Sequence, residues 1–176
     1  MMGPAWRHGA ALAHWSTPSP TRTEEHTLDT SLEGRRGQPF TMVLEAGKIR
    51  EFARATKSSN PAYDGGVHGE PISPVTFLMA SAFWQGPGAS PLSGVELNWE
   101  RILHGEQEFR FVGPPPKAGA VLTGQSYIDK VYEKAGKRGG TMAFTEQVTE
   151  FRDQSGALVA ELRSTMIETS KATTES

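Results

Sequence analysis

The strongest indication of the fold is the sequence Ser73-Pro74-Val75-Thr76-Phe77-Leu78-Met79-Ala80-Ser81-Ala82-Phe83. Ser73 suits an N-cap, and Pro74 suits the first helical position, where proline gives up only an N–H that a helix leaves unpaired. The residues that follow are apolar nearly all round. This pattern predicts a helix from Pro74 to about Phe83 that is buried on most sides.

The segments on either side of this helix predict a second helix and five strands. Upstream, residues 41–45 are typical of a strand, and residues 48–57 place apolar side chains on one face of a helix. Downstream, apolar and polar residues alternate in segments joined by Gly- and Pro-rich reversals, at residues 103–111, 121–132, 141–152 and 158–166. A buried helix beside consecutive antiparallel strands predicts an α+β fold in which the sheet wraps around a central helix.

The first long strand, residues 103–111, is predicted to have two chemically different faces. Strict alternation places Leu103 and Gln107 on one face and His104, Glu106 and Glu108 on the other. The second set contains metal-ligating residue types, but a polar strand face or a subunit contact explains the same residues. No metal motif in the chain has convincing spacing, so we expect no bound metal.

Length and composition indicate a single globular domain and exclude several classes of function. The 176 residues suffice for one hydrophobic core, and the net charge of −2 favours neither nucleic acid nor an anionic membrane. The chain has no cysteine, which excludes disulfides and thiolate-bound metals and is compatible with the cytoplasm, where we expect the protein. No apolar run approaches the roughly 20 residues of a membrane span.

The two ends of the chain differ from its centre. Residues 1–37 are rich in Ser, Thr, Pro and charged residues and offer little that can be buried. We therefore expect a disordered or loosely attached tail at residues 1–37, a folded domain at residues 38–169, and a disordered polar tail at residues 170–176.

Several short motifs, in their order along the chain, resemble the N-terminal hotdog domain of MaoC-like dehydratases of the fatty-acid-synthase type. This family includes type 2 enoyl-thioester hydratases and (3R)-hydroxyacyl dehydratases. The resemblance covers about residues 38–169, and its α+β hotdog fold agrees with the pattern above. The matching motifs are Lys48–Ala55, Asn60-Pro61-Ala62-Tyr63, Pro74-Val75-Thr76-Phe77, Leu103–Phe109, Gly139–Met142 and Arg163-Ser164-Thr165.

The resemblance implies an acyl-thioester site whose acid–base pair is missing. In the family an active-site loop reads Asp-x-Asn-Pro-x-His, and its Asp and His handle a water molecule. Here Asn60 and Pro61 match, whereas Ser58 stands at the Asp position and Tyr63 at the His position. A serine hydroxyl and a tyrosine with a pKa near 10 make a poor acid–base pair.

The family implies that a chain with such a loop works beside a second MaoC-like hotdog subunit that holds the Asp and His. Asn60, Tyr63, Thr76 and Phe77 would then line a pocket for the acyl group of a coenzyme A or acyl-carrier-protein thioester, with no cofactor. An open sheet edge also favours dimerisation, with that subunit or with a second copy.

Two alternatives remain open. Asp64, His68 and Glu70 lie close to the missing histidine in sequence, and they would serve a self-sufficient homodimeric hydratase; a solvated surface loop explains them as well. The other alternative is a non-enzymatic acyl-thioester binding protein. Lys137 and Arg138 sit in a glycine-rich reversal that fits a coenzyme A phosphate or, as we prefer, a tight hairpin alone.

Overall fold

The structure, a computed structural model, describes residues 29–65, 69–136 and 140–170. The main elements in chain order are β1 (Phe40–Val43), α1 (Ala46–Ala55), a long 3₁₀ helix (Phe77–Trp84), β2 (Ile102–Phe111), β3 (Val121–Ala135), β4 (Thr141–Arg152) and β5 (Leu158–Glu168). Shorter 3₁₀ helices span Thr30–Leu32, Pro61–Tyr63 and Trp99–Arg101. No helix within the described ranges is long and apolar enough to cross a membrane.

All five strands belong to one antiparallel sheet in the order β1-β3-β4-β5-β2. The predicted strand at residues 141–152 coincides with β4, and the one at residues 121–132 continues in β3 to Ala135. The α+β prediction is therefore confirmed. In the described part of the chain β2 pairs with β5 alone, so β2 is an edge strand of ten residues.

One side of the sheet packs against the long 3₁₀ helix and forms the core. Phe77 and Leu78 of the helix are fully buried there. Gly124 is required by this packing, because a Cβ at that position would lie 2.3 Å from Cζ of Phe40, whose ring covers the glycine. The sheet contributes buried side chains from four adjacent strands: Met42, Leu122, Phe151 and Ala160.

The predicted helix at Pro74–Phe83 differs from the observed one in type and in burial. It is a 3₁₀ helix that begins at Phe77, and Ser73 does not cap it. Side chains three residues apart eclipse each other in such a helix, which gives it narrow stripes. The stripe with Leu78 and Ser81 is buried, whereas Phe83 is 89% exposed. The expectation of burial on most sides was wrong because a single sheet covers only one side.

Residues 29–37, which the prediction above assigns to the N-terminal tail, include a segment that makes backbone hydrogen bonds with β3. The Gly34 N–H donates to the Ile128 carbonyl over 2.8 Å, and the Gly37 N–H donates to the Ser126 carbonyl over 2.9 Å. This segment therefore runs along β3 beyond β1. Backbone hydrogen bonds hold it in place, and these need no apolar side chains. The rest of the predicted tails lies outside the described residues: 1–28 and 171–176.

Candidate functional site

The loop that carries Asn60 and Pro61 is set in place by the end of α1. The Lys57 N–H donates to the Arg54 carbonyl over 3.0 Å, and the Ser58 N–H donates to the Ala53 carbonyl over 2.9 Å. These two bonds form a Schellman motif, whose turning residue adopts a left-handed conformation. Lys57 has a φ of 54°. A non-glycine residue in the left-handed conformation costs roughly 1–2 kcal/mol. The packing of the domain therefore offsets this cost at the start of the loop.

Asn60 organises the next turn. Its Oδ1 accepts a hydrogen bond from the Ala62 N–H over 3.1 Å, which caps the short 3₁₀ helix Pro61–Tyr63. The Tyr63 N–H donates to the Asn60 carbonyl over 3.1 Å. Ser58 Oγ accepts from the Asn60 N–H over a longer 3.4 Å, and its residue is exposed. The loop therefore keeps a defined frame that presents two hydroxyl side chains, Ser58 and Tyr63.

Asp64 and Glu70 take up separate positions near this loop. Asp64 is 78% exposed, and its Oδ1 lies 3.3 Å from Nε of Arg50. Glu70 lines an open cleft of about 530 Å³ together with Arg50. His68 lies outside the described residues. Among the residues with described positions, no three His, Cys, Asp or Glu side chains are grouped to hold a metal ion.

Thr76 and Phe77 lie at the start of the long 3₁₀ helix. Thr76 is exposed and is the N-cap residue, although its side chain makes no capping bond. Phe77 is 1% exposed, and its ring meets that of Phe52 edge-on with centroids 5.3 Å apart. The structure thus brings Asn60 and Tyr63 together in one turn and places Phe77 in the hydrophobic core.

A groove between the long 3₁₀ helix and the sheet was missed by the sequence analysis. Its volume is about 350 Å³. Met79 and Ala82 of the helix and its C-cap residue Gln85 line one side. The sheet side is mixed, with Leu162 and Met166 among its apolar residues, and hydrogen-bonding side chains from three adjacent strands also line it: His104, Gln107, Gln147, Thr149 and Ser164. This groove is the second candidate site.

A β-bulge changes which side chains of β2 share a face. His104 pairs with Met166, and Glu106 pairs with the adjacent Thr165, so Gly105 is an extra residue. A bulge of this kind reverses the alternation on one side of it. His104 therefore joins Gln107 in the groove, and Glu106 lies on the opposite face. The predicted grouping of His104 with Glu106 and Glu108 is wrong.

The opposite face of the sheet carries a network of charges. Arg163 lies 3.3 Å from both Asp129 and Glu161. Burial acts to lower the pKa of Arg163, but the hydrogen bond and charge of Glu161, helped by Asp129, leave that pKa raised. Glu106 and Glu108 line a small pocket beside Arg163. Arg163 and the Arg110–Glu108 ion pair offset part of this negative charge, so ion pairing explains these residues without a ligand.

The sequence did contain a signal for the groove. In β4, the polar residues Thr145, Gln147 and Thr149 occupy alternate positions and share one face. Glu146 is a polar residue on the other face. A strand that is polar on both faces beside a helix indicates a lined cavity, because buried polar groups need partners. The glycine inside the predicted strand at residue 105 is likewise a typical sign of a bulge.

Comparison with known proteins gives consistent matches over most of the chain. Residues 31–162 match the family model described as FAS1-like, dehydratase domain region. A UPF0336 protein of Streptomyces coelicolor is 36% identical over 117 residues, which is 62% of this chain and 77% of that protein. A UPF0336 protein of Mycobacterium tuberculosis is 31% identical over 104 residues, 56% of this chain and 62% of its own length.

Solved structures are similar as well. The C-terminally truncated HadBC (3R-hydroxyacyl-ACP dehydratase) complex of Mycobacterium tuberculosis gives a TM-score of 0.63 at 25% identity, over 80% of this chain and 99% of that one. The ChsH1–ChsH2 complex of the same organism gives a TM-score of 0.58 at 15% identity, over 80% of this chain and 87% of that one. The (R)-hydratase of A. caviae gives a TM-score of 0.51 at 19% identity, over 80% of this chain and 97% of that one. The last two likenesses concern the fold alone.

Proposed function

Because the chain belongs to the FAS1-like dehydratase-region family and has the hotdog fold of MaoC-like dehydratases, as predicted, we propose that it is a subunit of a (3R)-hydroxyacyl-thioester dehydratase, which in reverse is an enoyl-thioester hydratase. In this proposal a second MaoC-like hotdog chain supplies the catalytic Asp and His. The similar HadBC and ChsH1–ChsH2 structures are both described as complexes, which supports a heteromeric arrangement.

The observation that carries the proposal is the loop after α1. Hydration of an enoyl thioester needs one group that takes a proton from water and another that protonates the α-carbon. The Schellman motif and the Asn60 cap preserve a defined loop frame. The side chains at the two family positions, however, are the hydroxyls of Ser58 and Tyr63, in place of a carboxylate and an imidazole. The loop has a defined backbone arrangement, but in this proposal the acid–base groups come from another chain.

We propose that the partner docks along β2. The described residues offer β2 no neighbour on its outer edge, and an unpaired edge of this length is a template for another strand. Several of the large apolar side chains that are exposed in the single chain lie in β2 and in the helices near it, and these favour a protein interface. They are Phe83, Trp99 and Leu103, with exposures of 89%, 74% and 42%.

The substrate side of the proposal rests on the family. We expect an acyl-CoA or acyl-carrier-protein thioester within fatty-acid metabolism, in the cytoplasm. Asn60 and Thr76 are exposed and Tyr63 is half-buried, which leaves them available to the acyl thioester. Phe77 would contribute indirectly, because its buried side chain holds the long 3₁₀ helix in place.

The test is hydration of crotonyl-CoA, followed by loss of the enoyl-thioester absorbance. We expect no turnover by the purified chain and turnover when a hotdog chain with Asp-x-Asn-Pro-x-His is added. Replacing the Asp or His of that second chain should abolish turnover, whereas Ser58→Ala should leave it nearly unchanged.

Two results would contradict the proposal. Turnover by this chain alone, abolished by His68→Ala, would establish the self-sufficient hydratase built on Asp64, His68 or Glu70. Thioester binding without turnover, with every candidate catalytic chain added, would establish a binding protein instead.

A further inference from the structure

The side chains that line the groove between the long 3₁₀ helix and the sheet indicate which acyl groups the groove can bind. The side of a sheet that packs on a helix is normally apolar, because polar groups there lose water. In this chain the side begins as apolar core at Met42 and Leu122 and becomes mixed toward β5 and β2, where polar side chains stand among apolar ones such as Leu162 and Met166. The change occurs where the groove opens, so the polar residues line a space and are not packed against the helix.

The polar groups of the groove fall into two classes. Some are satisfied inside the protein: Ser126 Oγ and Thr149 Oγ1 lie 2.8 Å apart, and Gln107 Nε2 donates to the Arg163 carbonyl over 2.7 Å. Gln147 and Ser164 differ, because their side chains have no hydrogen-bond partner among the residues with described positions. Both line the groove, which leaves a donor and acceptor amide and a hydroxyl facing its interior.

The bulge at Gly105 adds a third group to this set. Without it His104 would lie on the outer face, beside Glu106 and Glu108. With it the imidazole shares the groove with Gln107, Gln147 and Ser164. A Cβ at position 105 would come within 2.7 Å of the Ile167 side chain, so glycine suits the bulge. Bulges commonly re-aim a side chain beside a functional site.

We propose that this groove takes an acyl group that carries a hydroxyl or carbonyl oxygen beyond its third carbon, and that it discriminates against a saturated chain of the same length. This inference rests on the function proposed above. The groove has room for about 12 water-sized groups at roughly 30 Å³ each, which fits a chain of medium length. Met79, Ala82 and Leu162 contact its methylene groups, and Gln147, Ser164 and His104 bond its oxygen.

The selectivity follows from the cost of removing water. A saturated chain would displace water from Gln147 and Ser164 without replacing its hydrogen bonds, whereas an oxygen on the chain would replace them. One net hydrogen bond corresponds to about 2- to 12-fold in affinity. We therefore expect a preference of about tenfold.

The experiment compares the affinities of decanoyl-CoA and of hydroxydecanoyl-CoA isomers that bear the hydroxyl at successive carbons beyond the third. None of these probes can be dehydrated or hydrated, so calorimetry on the full chain, alone and with its catalytic partner, measures binding only. The variants are Gln147→Met, which keeps the side-chain volume, and Ser164→Ala. Gln154→Met, in the exposed β4–β5 turn, is the matched control.

We expect at least one isomer to bind about tenfold more tightly than decanoyl-CoA, and the ratio to fall to about one in Gln147→Met but not in Gln154→Met. Equal binding of decanoyl-CoA and every isomer, or a preference that survives both groove variants, would overturn the inference and leave the proposed function intact. If none of these probes binds while crotonyl-CoA is still hydrated with the partner, the groove is not the acyl site. Failure of both binding and hydration would overturn the proposed function as well.

Discussion

Replacing Phe77 with alanine separates a core role for this ring from a role in the acyl site. The sequence resemblance assigned Phe77 to the site, and the structure buries it to 1% exposure against Phe52. Removing a buried phenylalanine ring costs roughly 3–5 kcal/mol when the cavity cannot collapse. The whole domain is stabilised by about 5–15 kcal/mol, so Phe77→Ala should remove a large fraction of the free energy of unfolding.

The aromatic pair allows part of this loss to be isolated. The rings of Phe52 and Phe77 are 5.3 Å apart at 89°, the edge-to-face geometry. Such pairs contribute about 0.5–1.5 kcal/mol beyond their buried area. A double-mutant cycle of Phe52→Leu and Phe77→Leu should therefore show a coupling energy in that range.

The assay is urea unfolding followed by tryptophan fluorescence, with acyl-thioester affinity measured on the same preparations. Phe83→Ala is the matched control, because this phenylalanine is in the same helix but is 89% exposed. It should change the free energy of unfolding of the single chain by no more than about 0.5 kcal/mol. A loss below about 1 kcal/mol for Phe77→Ala, together with weakened thioester binding, would refute the core assignment.

Three further predictions concern local features. Lys57→Gly should raise the free energy of unfolding by about 0.5–1 kcal/mol, because glycine adopts the left-handed conformation at the end of α1 without a Cβ clash. Ser126→Ala should lower it by about 1–3 kcal/mol, since the buried Thr149 hydroxyl loses its partner; adding Thr149→Val should recover part of the loss. Asp153→Asn should lower the melting temperature at neutral pH, because the hydroxyl of Ser155 and then the backbone N–H groups of the β4–β5 turn hold the pKa of the folded-state carboxyl below 3.8. This stabilisation is present above the unfolded pKa and is lost as the pH falls through the folded pKa, so the melting temperatures should converge in acid.

Each of these predictions has a clear contrary result. Equal or lower stability of Lys57→Gly in urea would mean that no strain is held at the end of α1. Additive losses for Ser126→Ala and Thr149→Val would mean that the two hydroxyls do not bond each other. A difference between Asp153 and its asparagine variant that persists below the folded pKa, in melting curves recorded across pH, would show that the ionised carboxylate is not responsible.

The strands and α1 could be predicted from the sequence because their signals are local. Alternation in residues 141–152 and the Asp153–Gly156 reversal define β4 and its turn without reference to any other part of the chain. The same holds for α1, where Ile49 and Ala53 are buried one turn apart, as the helical period requires.

The remaining features depend on contacts that are distant in sequence. Residues 29–37 are held by backbone bonds to β3, which their composition cannot reveal. The exposed side of Phe77–Trp84 reflects how much of a helix one sheet can cover. Gly105 did carry a local signal for the bulge, but its consequence for His104 follows only from the pairing with β5.

The candidate sites show the same division. The loop frame around Asn60 and Pro61 could be predicted because a capped turn is encoded by neighbouring residues. The polar residues of β4 are a local signal for the groove, but its lining could not be predicted, since Gln107, Gln147 and Ser164 come together only through the strand order β4-β5-β2. A sheet order is a property of the whole chain and is poorly encoded by any one segment.

Hydration of crotonyl-CoA, measured with the purified chain alone and with a second hotdog chain that holds the Asp and His, shows whether this protein needs a catalytic partner. The account predicts that turnover begins only when the second chain is added and that it tolerates Ser58→Ala. Turnover of crotonyl-CoA by this chain on its own would contradict the account, because the loop after α1 would then not be the reason that a partner is needed.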